Sequence, residues 1–116
     1  MEKRLEIDDI SELVEAVKEY IDDDEVIKNI CKAYDYASIV HKNDIRLSGE
    51  SYMHHPLNVA YTLTKLNADP DTLCAALLHD TLYIGNATLE DIKEKFGDDI
   101  ADLVNGITKI NKLNLS

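Results

Sequence analysis

An all-α fold, a compact bundle of about six helices, is what this sequence predicts, and three observations carry it. Apolar residues recur at three- and four-residue spacing along almost the whole chain, and no stretch alternates polar with apolar as a half-buried strand would. Residues 73–78, Leu-Cys-Ala-Ala-Leu-Leu, are apolar on every side, which marks a helix enclosed by others. Capping residues and turn signals break the pattern at intervals suited to short helices. With 116 residues and no repeat, linker or low-complexity segment, the chain is expected to form one domain around a single modest core.

The elements follow in order. Asp8 and Asp9 can cap a first helix reaching about Tyr20, with Ile10, Leu13, Val14 and Val17 on one face. Asp22, Asp23, Asp24 and Glu25 suit the positive end of a second helix, as a solvated start rather than an ion site. That helix turns Val26, Ile27, Ile30, Cys31, Tyr34, Ala37 and Val40 inward and reaches His41. Residues 43–55 are polar and non-periodic, with a turn at Ser48-Gly49, and loops of that length in compact domains are often functional. Pro56 is expected to open a third helix at its first position, with Val59, Ala60, Leu63 and Leu66 as the core face. Asp69-Pro70 caps a fourth, expected to run through His79-Asp80 and to stop at Gly85-Asn86. Thr88, with Asp91 three residues on, caps a short fifth helix that ends at Phe96-Gly97. Asp98 and Asp99 begin a sixth, with Ile100, Leu103, Val104 and Ile107 apolar.

Composition narrows the function. A formal charge of −11 argues against broad electrostatic binding to nucleic acid, which needs a basic face. No run approaches the roughly 18 apolar residues of a membrane span. The N-terminal stretch Met1-Glu2-Lys3-Arg4-Leu5-Glu6 lacks the apolar core of a signal peptide, so a cytoplasmic protein is expected. Cys31 and Cys74 sit among apolar neighbours at helical positions and read as structural thiols. On so acidic a chain, a phosphate-bearing ligand would need a local cation, and the only arginines are Arg4 and Arg46.

The chemistry is expected at His79-Asp80. On a helix, Asp80 falls on the stripe of Leu73, Ala76, Leu77 and Ile84, where a core residue belongs. A carboxylate there must be neutralised, paired or bound to a metal. His55, just before Pro56, could supply a third donor, giving a His/His/Asp set with open coordination positions. Such a set suits a borderline divalent cation, manganese, iron or zinc, at a hydrolytic site. The residues alone leave a second reading open, in which the pair belongs to a polar network in the core. His54 reads as an exposed loop residue outside the ligand set.

Several spaced blocks bear on that choice. They are Ala33-Tyr34-Asp35-Tyr36-Ala37; His41, leading to Arg46-Leu47-Ser48-Gly49-Glu50-Ser51-Tyr52; His55-Pro56-Leu57-Asn58-Val59-Ala60; residues 72–80 ending in His79-Asp80; Phe96-Gly97; and Leu103-Val104-Asn105-Gly106-Ile107-Thr108-Lys109. In this order, from about 27 to 110, they resemble the HD-domain family, specifically the hydrolase domain of the bifunctional guanosine tetraphosphate enzymes of the stringent response. The resemblance implies that His55, His79 and Asp80 ligate a divalent metal, usually manganese. It also implies that a ppGpp-like guanine nucleotide is the ligand, losing its 3′-pyrophosphate by hydrolysis. Arg46 matches a basic residue of the substrate loop, which Ser48, Gly49 and Tyr52 help to shape. Arginine forks suit phosphate or purine, though an ordinary solvated loop arginine is the other reading of Arg46.

Three departures from that family set the expected activity. Where the family carries a Glu-Asp pair that assists the attacking water, this chain has Tyr83-Ile84. Neither accepts a proton from water near neutral pH, since a tyrosine hydroxyl has a pKa of about 10. Losing positioned acid–base help costs on the order of 100- to 10,000-fold. The family's last ligand is an aspartate on a later helix, and this chain stops at Ser116, so a C-terminally truncated domain with an incomplete ligand set is expected; Asp99 and Asp102 read as solvated substitutes at best. Leu47 and Asp44 replace a basic residue and a glutamine of the substrate loop. The expectation is therefore an HD hydrolase-type domain with no intact catalytic residues, weakly active or inactive as isolated. The alternatives are a regulatory or nucleotide-binding module on the same fold, and an HD phosphohydrolase for another nucleotide.

Overall fold

A computed structural model describes residues 6–42, 51–82 and 87–114, the side chains of 111–114 excepted. The described residues form helices and no strand element: α1 (Ile10–Lys18), α2 (Asp24–Val40), α3 (His54–Thr64), α4 (Pro70–Leu78), α5 (Leu89–Phe96) and α6 (Asp98–Asn114). The fold class is the all-α bundle that the periodicity predicts.

Most helix starts are set by the expected side chains. Asp9 accepts hydrogen bonds from the amides of Ser11 and Glu12, and Asp23 does the same for Glu25 and Val26. Asp69 accepts from the Thr72 amide and Thr88 from that of Asp91. Each satisfies donors that the first helical turn leaves open. Between α5 and α6 the chain reverses through Gly97 at φ 93°, a backbone angle that a side chain would strain.

α4 is the axis of the bundle and packs against α2, α3 and α6. Leu73, Cys74, Ala75, Ala76, Leu77 and Leu78 are all buried, as an all-round apolar helix requires. The small residues Cys74, Ala75 and Ala76 leave room for three neighbours to close on one helix. From α2 come Ile30, Ala33 and Ala37, from α3 Leu57 and Ala60, and from α6 Ile100, Ala101 and Val104. The N-terminal segment is tied to α3 by Asn58, whose amide hydrogen-bonds both the N–H and the C=O of Ile7. Tyr20 donates to the Ala68 carbonyl at 2.7 Å and anchors the end of α1 to the α3–α4 connection.

Four expectations need correction. α3 starts at His54, two residues before Pro56, so Pro56 occupies the first turn rather than the first position. The proline costs nothing there, because a first-turn amide has no partner within the helix. Leu66 is not in the core: α3 ends at Thr64, the chain turns through Asn67 at φ 55°, and Leu66 is 76% exposed. Leu103 is exposed as well, because α6 faces the core along Ile100, Ala101, Val104 and Thr108. Finally, α4 ends at Leu78, so His79 and Asp80 follow the helix instead of interrupting it. Among the described residues, no helix is long and apolar enough to cross a membrane.

Candidate metal centre

The end of α4 creates the site. Past Leu78 the hydrogen bonding tightens to a three-residue pattern, with the His79 amide on Ala76 O and the Thr81 amide on Leu78 O. Side chains compete for the same carbonyls: Thr81 Oγ1 donates to Leu78 O at 2.7 Å and His79 Nδ1 lies 2.5 Å from Ala76 O. Such local bonds offer the backbone an alternative to continuing the helix. The turn stays in the interior nonetheless, with His79 8% and Asp80 7% exposed. α6 closes over it through Thr108, whose hydroxyl donates to Val104 O and sits 3.5 Å from the His79 carbonyl.

This arrangement orients the ring of His79. A carbonyl only accepts, so Nδ1 donates to Ala76 O and Nε2 is the ring nitrogen turned towards Asp80. That is the usual orientation of a ligating imidazole held from behind by a carbonyl. His79 Nε2 lies 3.3 Å from Asp80 Oδ2. His55, on the first turn of α3, brings its ring to 5.4 Å from that of His79 with the planes at 68°. One ligand atom each from His55, His79 and Asp80 lie within 4.8 Å of one another. Donors on one cation with bonds of about 2.0–2.2 Å stand no more than about 4.4 Å apart, so a group within 4.8 Å needs at most a small side-chain adjustment to share an ion. Two imidazoles and one carboxylate are also a donor set that borderline divalent cations accept.

The surroundings contain the polar network that the sequence left as the second reading. Tyr52 Oη donates to Asp80 Oδ2 at 2.9 Å. The Tyr52 ring stacks on that of His41, with centroids 4.5 Å apart and planes at 26°. Network and ligand cluster therefore coexist and meet at one atom: Asp80 Oδ2 accepts from Tyr52 Oη and lies beside His79 Nε2.

The remaining site expectations divide cleanly. His54 is half-buried on α3 rather than exposed in a loop, and its Nε2 lies 3.6 Å from a Glu6 carboxylate oxygen. Asp99 and Asp102 are exposed on α6 and do not join the cluster. Cys74 is fully buried, and burial pushes its thiol up to about 12; Cys31 is half-buried, with burial first and then Asp35 raising its thiol. Arg46, Ser48, Gly49, Tyr83 and Ile84, with Asp44 and Leu47, lie outside the described residues. Thr108 escaped the sequence reading although it sits four residues after Val104 on an apolar stripe, the same signal that marked Asp80.

The all-α bundle agrees with the comparisons. The model of the HD domain matches residues 33–116. The chain belongs to the HD-domain family. It is 49% identical over 86 residues to the guanosine-3′,5′-bis(diphosphate) 3′-pyrophosphohydrolase of Aquifex aeolicus, covering 74% of this chain and 12% of the relative. The enzyme of the same name from Spiroplasma citri is 43% identical over 100 residues, 86% of this chain and 13% of the relative. The GTP pyrophosphokinase rsh of Brucella melitensis is 46% identical over 105 residues, 90% of this chain and 14% of the relative. The matched HD domain thus spans about an eighth of the length of these relatives. Hydrolases of the HD family depend on divalent metal, and the cluster fits that requirement.

Proposed function

We propose that these 116 residues form one HD domain of the guanosine-polyphosphate pyrophosphohydrolase type, cytoplasmic, with weak or no hydrolytic activity as the isolated chain. The convergence of His55, His79 and Asp80 carries the reading. In it these residues hold a divalent cation, manganese by preference, while Arg46 and Ser48 contact a ppGpp-like nucleotide from the preceding loop, with Tyr52 at its end. A cation held there would supply positive charge against phosphoryl oxygens and make a nearby water more acidic. The chain itself contributes orientation: His79 is aimed by the Ala76 carbonyl, and Asp80 is held inside the bundle by the Tyr52 hydroxyl. A polyphosphate approaching a chain of net charge −11 needs such a local cation to be held at all.

Proton transfer is where this chain falls short. Tyr83 and Ile84 offer no base near neutral pH, and Asp44 places a like charge on the substrate loop. The same residues support a second reading, a nucleotide-binding or regulatory module on the HD fold. Both are tested by incubating the purified chain with manganese and guanosine tetraphosphate and following pyrophosphate release. The expected result is turnover at least about 100-fold below an intact relative, with a gain when Tyr83→Glu and Ile84→Asp are combined. Turnover by the unaltered chain at the relative's rate overturns the proposal. Nucleotide binding without turnover in either protein favours the binding module.

A further inference from the structure

Asp80 stands two residues beyond the last helical residue of α4, where no i→i−4 ladder fixes the backbone. A carboxylate in such a turn would ordinarily sample several rotamers, and something else must hold it. Two contacts meet at its Oδ2: the adjacent His79 Nε2 at 3.3 Å and, across 28 residues of sequence, Tyr52 Oη, which donates at 2.9 Å and ties the carboxylate to other helices. Tyr52 is itself constrained from two sides. Its ring stacks on His41, which is 3% exposed and whose amide closes α2 on the Ala37 carbonyl at 2.9 Å. Its backbone lies in the tight turn where the His54 amide donates to Ser51 O and the Met53 amide contacts Ser51 Oγ, running directly into the helix that carries His55.

We infer that Tyr52 is a positioning residue for Asp80, tying the end of α2 and the start of α3 to the turn after α4 so that Asp80 meets His55 and His79 in one place. The inference rests on the metal reading proposed above. It also limits what Tyr52 does with substrate. A tyrosine hydroxyl has one proton, and here Asp80 receives it, so an anionic phosphate oxygen could take that donor only by releasing the carboxylate. Partners of this kind, which orient ligating carboxylates, typically change metal affinity by 10- to 100-fold when removed.

The test uses the whole chain with manganese alone as the probe, comparing the unaltered protein with Tyr52→Phe and Asp80→Asn. Tyr52→Phe keeps the ring and its stack and deletes only the hydroxyl. Titration calorimetry should show manganese bound by the unaltered chain, lost in Asp80→Asn, and weakened about tenfold in Tyr52→Phe. In the metal-free protein, three-bond couplings should report one Asp80 χ1 rotamer, averaged over several in Tyr52→Phe. Unchanged affinity and rotamer in Tyr52→Phe, with binding lost in Asp80→Asn, would overturn the inference and leave the metal reading standing. Binding that survives Asp80→Asn unchanged overturns the metal reading and the inference with it. If Tyr52→Phe does not fold, the unaltered chain still decides: an Asp80 side chain already averaging over rotamers in the metal-free state refutes the positioning role.

Discussion

Asn58 carries more of the fold than any other single amide side chain described, and Asn58→Ala measures how much. Its Oδ1 accepts from the Ile7 amide at 2.7 Å, and its Nδ2 donates to the carbonyls of Ile7 at 3.0 Å and His54 at 2.8 Å. Each such bond contributes about 1 kcal/mol net, and because the group is only partly buried, water recovers some of it, leaving a loss of about 2 kcal/mol. If the N-terminal segment then lifts away, Ile7, 2% exposed, loses its burial as well, which adds about 2 kcal/mol. For 116 residues, an unfolding entropy of roughly 2.1 cal/mol/K per residue converts a loss of about 2–4 kcal/mol into a fall in Tm of about 8–16 °C. Thermal melts followed by circular dichroism give the shift, and hydrogen exchange at the Ile7 amide tells the two cases apart. Protection at Ile7 should drop in both and vanish in the second. A Tm within about 2 °C of the unaltered protein, with Ile7 still protected, would refute the claim that this amide clamps the segment.

Two further outcomes follow from the electrostatics of buried groups. Tyr36 on α2 donates to Asp91 on α5, and burial first, then that hydrogen bond and the carboxylate's charge, push its hydroxyl well above the ordinary tyrosine range. A raised folded-state pKa stabilises fully below the unfolded value of about 10 and is lost as pH climbs towards the folded value. Tyr36→Phe should therefore cost about 1 kcal/mol in urea denaturation at pH 7, a gap that narrows above about pH 10; a gap that widens there contradicts the assignment. The thiols make the other case. With Cys74 pushed up to about 12 and fully buried, a thiol reagent at pH 8 should label Cys31 in the native protein and Cys74 only on unfolding. Labelling of both at equal rates would show that α4 is not the enclosed axis described.

Capping signals in the sequence were read correctly at most of the helix starts. Asp9, Asp23, Asp69 and Thr88 each cap the helix that begins beside them, and Gly97 makes the reversal expected of it. The errors have two other causes, tertiary coverage and local hydrogen bonds that periodicity does not record. Leu66 and Leu103 fit an apolar stripe by spacing, but whether a stripe residue is covered depends on where the helix stops and which neighbour faces it. α3 begins ahead of Pro56 because the Ser51 carbonyl and hydroxyl brace the turn before it, a feature that no propensity encodes. The end of α4 was placed too late because apolar periodicity carries no record of His79 and Thr81 capturing the carbonyls of Ala76 and Leu78.

By itself the sequence determined the all-α class and most of the helix starts, and it singled out three residues that the structure brings together. A charged pair following an all-round apolar run is a local anomaly visible without any coordinates. Only the tertiary structure decided that His55 reaches the pair, that Thr108 closes over it and that Tyr52 holds the carboxylate. The physical reason is range. Caps and periodicity are settled among residues a few positions apart, whereas His55 meets His79, and Tyr52 meets Asp80, only because α2, α3 and α6 all pack on one enclosed helix.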